Sequence, residues 1–213
     1  MNRRAMLARL VSLGLAVGLF CGYACAESRG EAVRFGICTD VHKDIMHDAD
    51  QRLSTFVERM NREKVDFIIQ LGDFCRPIGA NDGFLAIWRS FEGPAYHVLG
   101  NHDTDGGFAR EQTVAYWKMP ARYYAFEAGG FHFIVLDGND KTDPPQSGYA
   151  RYIGAEQQQW LRRELAGTRL PTMIFSHQSL EADGGVANGE AIRGILEEAN
   201  RAGEGGKVVA CFS

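Results

Sequence analysis

Three apolar runs separated by two amphipathic stretches, all within residues 33–100, restrict what this chain can fold into more than any other feature. "VRFGICT" (33–39), "VDFIIQL" (65–71) and "AYHVLG" (95–100) are short and rich in β-branched and aromatic residues, as strands are. Between the first two, Leu53, Phe56, Val57 and Met60 recur at helical spacing, and "FLAIWRSF" (84–91) supplies a second helix before the third run. Such a βαβαβ order predicts parallel pairing with right-handed crossovers. Further on, "RYYAFEA" and "FHFIVLD" form a predicted antiparallel hairpin turning at Gly129-Gly130. A helix "GAEQQQWLRREL", a strand "TMIFS", a helix "GEAIRGILEEANRA" and a last strand "KVVACFS" complete an α/β chain.

Four of these strands end in polar residues. The first closes in "TDVH", the second in "LGDF", the third in "LGNHD" and the sixth in "FSHQ". A lone Asp after a strand is usually a turn or cap residue. Parallel strands, however, bring their carboxyl ends to one edge, where open α/β sheets bind ligands, so four separate segments converge on one crevice. Gly72 and Gly100, just before Asp73 and Asn101, are expected to let the backbone turn sharply there. Carboxylate and amide oxygens mixed with imidazoles suit divalent or trivalent ions such as Mn, Fe or Zn. A carboxylate can bridge two such ions, and a pair of them activates water for in-line displacement at phosphorus. The composition of the crevice therefore points to hydrolytic phosphoester chemistry.

The ordered set "TDVH", "GDF", "GNHD" and "SHQ" resembles the motifs of the calcineurin-like metallophosphoesterases, over about residues 33–213. "YYAFEAGGFHFIVLD" and "QQQWLRREL" are similar to stretches of the cyclic-nucleotide phosphodiesterase and purple acid phosphatase branches. The resemblance implies a four-layer αββα sandwich. It implies that Asp40 and His42 bind a first metal, that Asp73 bridges both, and that Asn101 and His177 bind the second. His102 would meet the phosphate or protonate the leaving group, with Asp103 orienting it by a hydrogen bond. The family's Gly-His-x-His, which adds one ligand to each metal, is expected after a strand like "KVVACFS", and the sequence stops at Ser213. The domain over 27–213 is accordingly read as C-terminally truncated. "GDFCRPIG" lacks the Asp-Arg-Gly continuation of protein serine/threonine phosphatases. The tyrosine that marks purple iron centres is replaced by Arg76, so a purple ferric site is not expected.

Residues 1–26 read as a signal peptide, with an arginine-bearing start, an apolar centre from Leu10 to Phe20 and Ala24-Cys25-Ala26 as cleavage site. "NRRAML" also resembles a twin-arginine signal, so either export route is open. The apolar run is too short for a comfortable span, which predicts a periplasmic or secreted protein without a stable membrane anchor. Cleavage removes Arg3, Arg4 and Arg9, so Lys+Arg falls from 23 to 20 against 27 acids and the net charge from −4 to −7. An acidic mature chain argues against sequence-independent nucleic-acid binding. Cys38, Cys75 and Cys211 remain, an odd number that excludes a disulfide framework, and Cys38 and Cys75 read as small buried hydrophobes.

The loop 137–148 is a predicted surface excursion near the site, and loops 74–83, 104–112 and 137–149 are expected to carry selectivity. Asp137 is a candidate support residue, whereas His47, His97 and His132 read as loop or packing residues and Trp88, Trp117 and Trp160 as core. The leading expectation is an exported phosphoesterase acting on a small phosphomonoester or phosphodiester through two metal ions. A catalytically impaired phosphate- or nucleotide-binding protein of the same fold is the alternative, and a metal-free structural role the third.

Overall fold

The computed structural model describes residues 32–145, 147–181, 183–203 and 207–213. The segment read as a signal lies outside the described residues. Among them, no helix is long and apolar enough to cross a membrane.

β1 (Phe35–Cys38), α1 (Ala49–Glu63), β2 (Phe67–Gln70), α2 (Asp82–Trp88) and β3 (Ala95–His97) follow the predicted alternation. β1 pairs parallel with β2, and β2 with β3, placing Phe35 opposite Phe67 and Gln70 opposite His97. After α3 (Arg110–Trp117), β4 (Tyr124–Ala128) and β5 (Phe131–Val135) form the antiparallel hairpin around Gly129-Gly130. α4 (Ala155–Gly167) leads to β6 (Thr172–Phe175), and α5 (Gly189–Ala202) to β7 (Val208–Phe212), both strands added in parallel. The result is a three-stranded sheet in the order β1-β2-β3 and a four-stranded sheet in the order β4-β5-β6-β7.

Period-two alternation explains how the sheets are layered. Phe133 and Val135 of β5 and Phe175 of β6 enter the core shared with the first sheet, where Phe35 stacks on Phe67 at 4.8 Å and Phe67 meets Phe133 edge-on at 5.0 Å. The alternate residues Ile134, Leu136 and Ile174 pack instead with Leu161 of α4 and Ile192 of α5. Leu53 and Val57 of α1 and Phe84 and Trp88 of α2 join the core of the first sheet. Helices thus cover a two-sheet sandwich in four layers. Trp88 and Trp117 are buried, as expected, and Trp160 is partly buried against the second core.

The third strand stops at His97, earlier than the apolar run implies. Beyond it Val98 N still donates to Gln70 O at 2.9 Å, but Gly100 N donates to the Asp103 carboxylate instead of to a neighbouring strand. The chain leaves the ladder because a side chain takes over its donors.

Candidate metal centre

The ends of β1 and β2 remain zipped beyond their last strand residues. Asp40 N donates to Gly72 O at 3.1 Å and His42 N to Asp73 O at 2.9 Å, so "TDVH" and "GDF" lie side by side. Asp40, His42 and Asp73 have φ of 52°, 52° and 53°. Non-glycine residues in the left-handed region cost roughly 1–2 kcal/mol each and cluster at functional sites. Gly72 also has a positive φ, of 103°. A Cβ there would lie 2.7 Å from the Gly100 backbone and from His177 Nδ1. Gly100 adopts no left-handed turn; it is needed because a Cβ would lie 2.2 Å from Asp73 N and Oδ1. The expected sharp turn thus holds for Gly72, and close approach explains Gly100.

Around this crossing the structure brings five polar side chains together. His42 Nε2 is 3.6 Å from Asp40 Oδ1 and 3.6 Å from Asp73 Oδ2. On the other side of Asp73, His177 Nε2 is 3.4 Å from the same Oδ2 and 3.1 Å from Asn101 Oδ1. Donor atoms of Asp40, Asp73 and His177 all fall within 4.8 Å of one another. Ligand atoms 2.0–2.2 Å from an ion at octahedral or tetrahedral angles lie about 2.8–3.6 Å apart, so these spacings fit metal coordination. Asp73 stands between the two groups, where a bridging carboxylate belongs.

The imidazole of His177 is oriented for ligation. Its Nδ1–H donates to Leu71 O at 2.9 Å, which turns the Nε2 lone pair inward. Burial alone would lower the His177 pKa, yet hydrogen bonding and charge from Asp73 raise it above the usual value. Burial would likewise raise Asp73, but the His177 contact holds its carboxyl below the usual range. Each stabilises the charged form of the other, as expected where a cation would otherwise stand.

The expected pairing of His102 with Asp103 is not what the fold contains. Residues His102–Thr104 form a 3-10 turn, in which side chains three apart eclipse and immediate neighbours diverge. His102 Nδ1 therefore meets Asp105 Oδ2 at 2.7 Å, and Tyr149 Oη lies 3.0 Å from the same nitrogen. Asp103 points into the protein, 1% exposed. Its Oδ2 accepts from Asp73 N at 2.9 Å and Gly100 N at 2.7 Å, and its Oδ1 accepts from Phe74 N at 2.7 Å. Burial pushes its carboxyl up to about 7, against the pull of those donors. Asp103 is a structural tie between the ends of β2 and β3. His102 faces the centre, its ring 5.3 Å from that of His42, and its Nε2 has no partner among the described residues.

Asp137 is fully buried at the end of β5, its Oδ2 receiving Arg110 and Arg122 at 2.9 and 2.6 Å. Asp140 Oδ1 takes the same two guanidinium groups at 2.8 and 3.1 Å. His97 is buried between Trp88 and Trp117, His132 is buried near Glu164, and His47 is exposed. Cys38, Cys75 and Cys211 are free thiols, Cys75 buried and Cys211 exposed. Asp105 and Tyr149 had no assigned role in the sequence reading, although both belong to loops expected to carry selectivity.

Known proteins carry the same architecture. The family profile described as calcineurin-like phosphoesterase matches residues 33–203. A manganese-dependent ADP-ribose/CDP-alcohol diphosphatase from Arabidopsis thaliana is 32% identical over 101 residues, 41% of this chain and 32% of that one. The chain thus spans about a third of the length of this curated relative. A dimetal phosphatase from Danio rerio superposes with TM-score 0.66 at 19% identity, over 79% of this chain and 78% of that one. The GAP50 anchor of the inner membrane complex of Plasmodium superposes with TM-score 0.54 at 18% identity, over 79% of this chain and 63% of that one. The superpositions show a shared fold, and the profile covers most of the sequence: the chain belongs to the calcineurin-like phosphoesterase family.

Proposed function

We propose that these residues form the site of a metal-dependent phosphoesterase that hydrolyses a small phosphomonoester or phosphodiester. The observation that carries this reading is the convergence of Asp40, His42, Asp73, Asn101 and His177 from four strand ends at coordination spacing. Asp40 and His42 would hold a first cation and Asn101 and His177 a second, with Asp73 between the two groups; Mn, Fe and Zn all suit this mixed O/N set. When bound, such ions supply an activated water and neutralise charge on the phosphoryl oxygens.

The remaining work falls to side chains. His102 presents Nε2 to the leaving oxygen and donates a proton there, while Asp105 and Tyr149 fix its Nδ1. Asp103 keeps the two backbone turns together so that Asp73 and Asn101 keep their spacing. The ADP-ribose/CDP-alcohol activity of the Arabidopsis relative makes phosphoanhydrides the first substrates to try. We extend the proposal to export, on the arginine-bearing start, apolar centre and Ala26 cleavage site of residues 1–26. The intact mass of protein recovered outside the cytoplasm tests it, since retention of those residues would refute cleavage.

Metal content and turnover test the main reading together. Equilibrium dialysis against Mn, Fe and Zn should load the wild type and not Asp73→Asn, and a phosphoester panel should show hydrolysis that follows metal content. Metal and phosphate binding without turnover on any ester would make the protein a binding module. Equal metal content in both proteins would refute the centre itself.

A further inference from the structure

Asn101 follows the end of β3 and His177 the end of β6, and among the described strands none of one sheet pairs with a strand of the other, so no ladder fixes the separation of these two donors. A side chain outside the donor set spans the same gap. Asn139, in the loop after β5, donates from Nδ2 to Leu99 O at 3.2 Å, and its Oδ1 accepts from Gln178 Nε2 at 2.8 Å. Leu99 lies two residues before Asn101, and Gln178 directly follows His177. Through its nitrogen and its oxygen, one amide therefore links the two segments that carry Asn101 and His177.

Both hydrogens of that amide are used. The second goes to Asp137 Oδ1 at 2.8 Å, the same oxygen that accepts from Asn139 N at 3.0 Å. Two acceptors on one side, Leu99 O and Asp137 Oδ1, dictate which way the amide faces and leave its oxygen for Gln178. Asp137 is immobilised in turn: it is fully buried, Arg110 and Arg122 bind its Oδ2, and Gln157 takes its backbone N–H and carbonyl at 2.9 and 2.8 Å. At the other end, Gln178 is buried and packs so close to Gly138 that a Cβ there would stand 2.2 Å from its Oε1. The backbone around Asn139 is held as well, by Asp140 N to Tyr152 O at 3.0 Å and Tyr152 N to Gly138 O at 2.7 Å. A polar bridge enclosed in this way rigidifies its surroundings and specifies one geometry.

We propose that Asn139 is a positioning residue for the second cation, holding Asn101 and His177 at the separation that ion requires without being a ligand itself. The inference rests on the metal-centre reading above and assigns a role to a residue outside the ligand motifs. A carboxylate in its place would face two oxygens, so the amide itself is needed.

Manganese binding to the full chain, followed by isothermal titration, tests this without turnover. His177→Ala identifies the step that belongs to the second cation. Asn139→Ala should weaken that same step about 10–100-fold, the usual effect of losing a group that orients a metal ligand, and leave the other step within about threefold. Gln178→Met removes the same bridge from the opposite end and should give the same selective loss. The double variant should be no weaker than the worse single one, since both act through one bond. Equal weakening of both steps in Asn139→Ala, or unchanged binding, would overturn the proposal and leave the centre standing. A wild type without any step that His177→Ala abolishes would overturn the metal-centre reading and the proposal with it. If Asn139→Ala fails to fold, Gln178→Met alone decides by the same comparison of the two steps.

Discussion

Replacing Asp103 by Asn tests whether this residue ties the backbone together or serves His102. The carboxylate accepts three backbone N–H groups, two on Oδ2 and one on Oδ1. Asparagine has one oxygen, so its best orientation keeps the Asp73 and Gly100 donors and turns an NH2 toward Phe74 N–H. That leaves one buried donor orphaned, at about 1–3 kcal/mol, and reduces two charge-assisted bonds to neutral ones at roughly 1 kcal/mol each. Relief from burying a charge returns part of this, for a net loss of about 2–4 kcal/mol. Against a typical stability of about 5–15 kcal/mol this is a large share. Urea unfolding followed by circular dichroism at pH 8 measures it. Asp105→Asn is the control: its ion pair with His102 is 40% exposed on both sides, which limits its worth to about 0–1 kcal/mol. An Asp103→Asn protein within about 0.5 kcal/mol of wild type, or an equal loss in Asp105→Asn, would refute the structural role.

Activity should show the opposite ranking for chemistry: Asp105→Asn is expected to slow esters of poor leaving groups about 10–100-fold and nitrophenyl esters much less, because only the former need the proton held by His102. Uniform loss across leaving groups would remove Asp105 from proton donation. His97 makes stability pH-dependent: burial, aided by the charge of Arg89, pushes its pKa down to about 3 from 6.5. The unfolded chain therefore binds a proton that the fold excludes, and stability falls as pH drops from 6.5 toward 3, by about 2 kcal/mol at pH 5. Unfolding at pH 7 and pH 5 should show a smaller drop for His97→Gln than for wild type, and parallel drops would contradict this. Among glycines, Gly194→Ala in α5 meets nothing within 4 Å and should stabilise by about 0.5–1 kcal/mol. Gly100→Ala should instead destabilise strongly and lose metal, since its Cβ would collide with Asp73, and a folded, metal-replete Gly100→Ala would exclude that close approach.

The strand-end donors were legible because two independent signals coincide at each. An apolar run fixes where a strand ends, and parallel order fixes which edge it ends on, so Asp40, Asp73, Asn101 and His177 could be placed before any coordinates. The partner of His102 was not legible on those grounds. The family resemblance implied Asp103, but a 3-10 turn brings positions three apart together, and no periodicity in "NHDTDGG" announces such a turn. Tyr149 reaches the same nitrogen from 47 residues away, across a loop with no pattern to read. The Arg110, Arg122, Asp137 and Asp140 cluster escaped for the same reason, since its members come from separate elements and only packing brings them together.

Four of the five donors are carried by the first sheet, and His177 alone by the second. In the proposed centre, a cation shared by Asn101 and His177 would act as a rivet across the seam of the sandwich. Its occupancy and the fit of the two sheets would then become one property. Shear between the sheets would loosen the ion, and ion loss would free the seam to slip. Loading would add RT ln(1 + [M]/Kd) to the stability of the whole sandwich. Conversely, a change in the edge-on contact between Phe67 and Phe133, which joins the two sheets, would register as altered metal affinity.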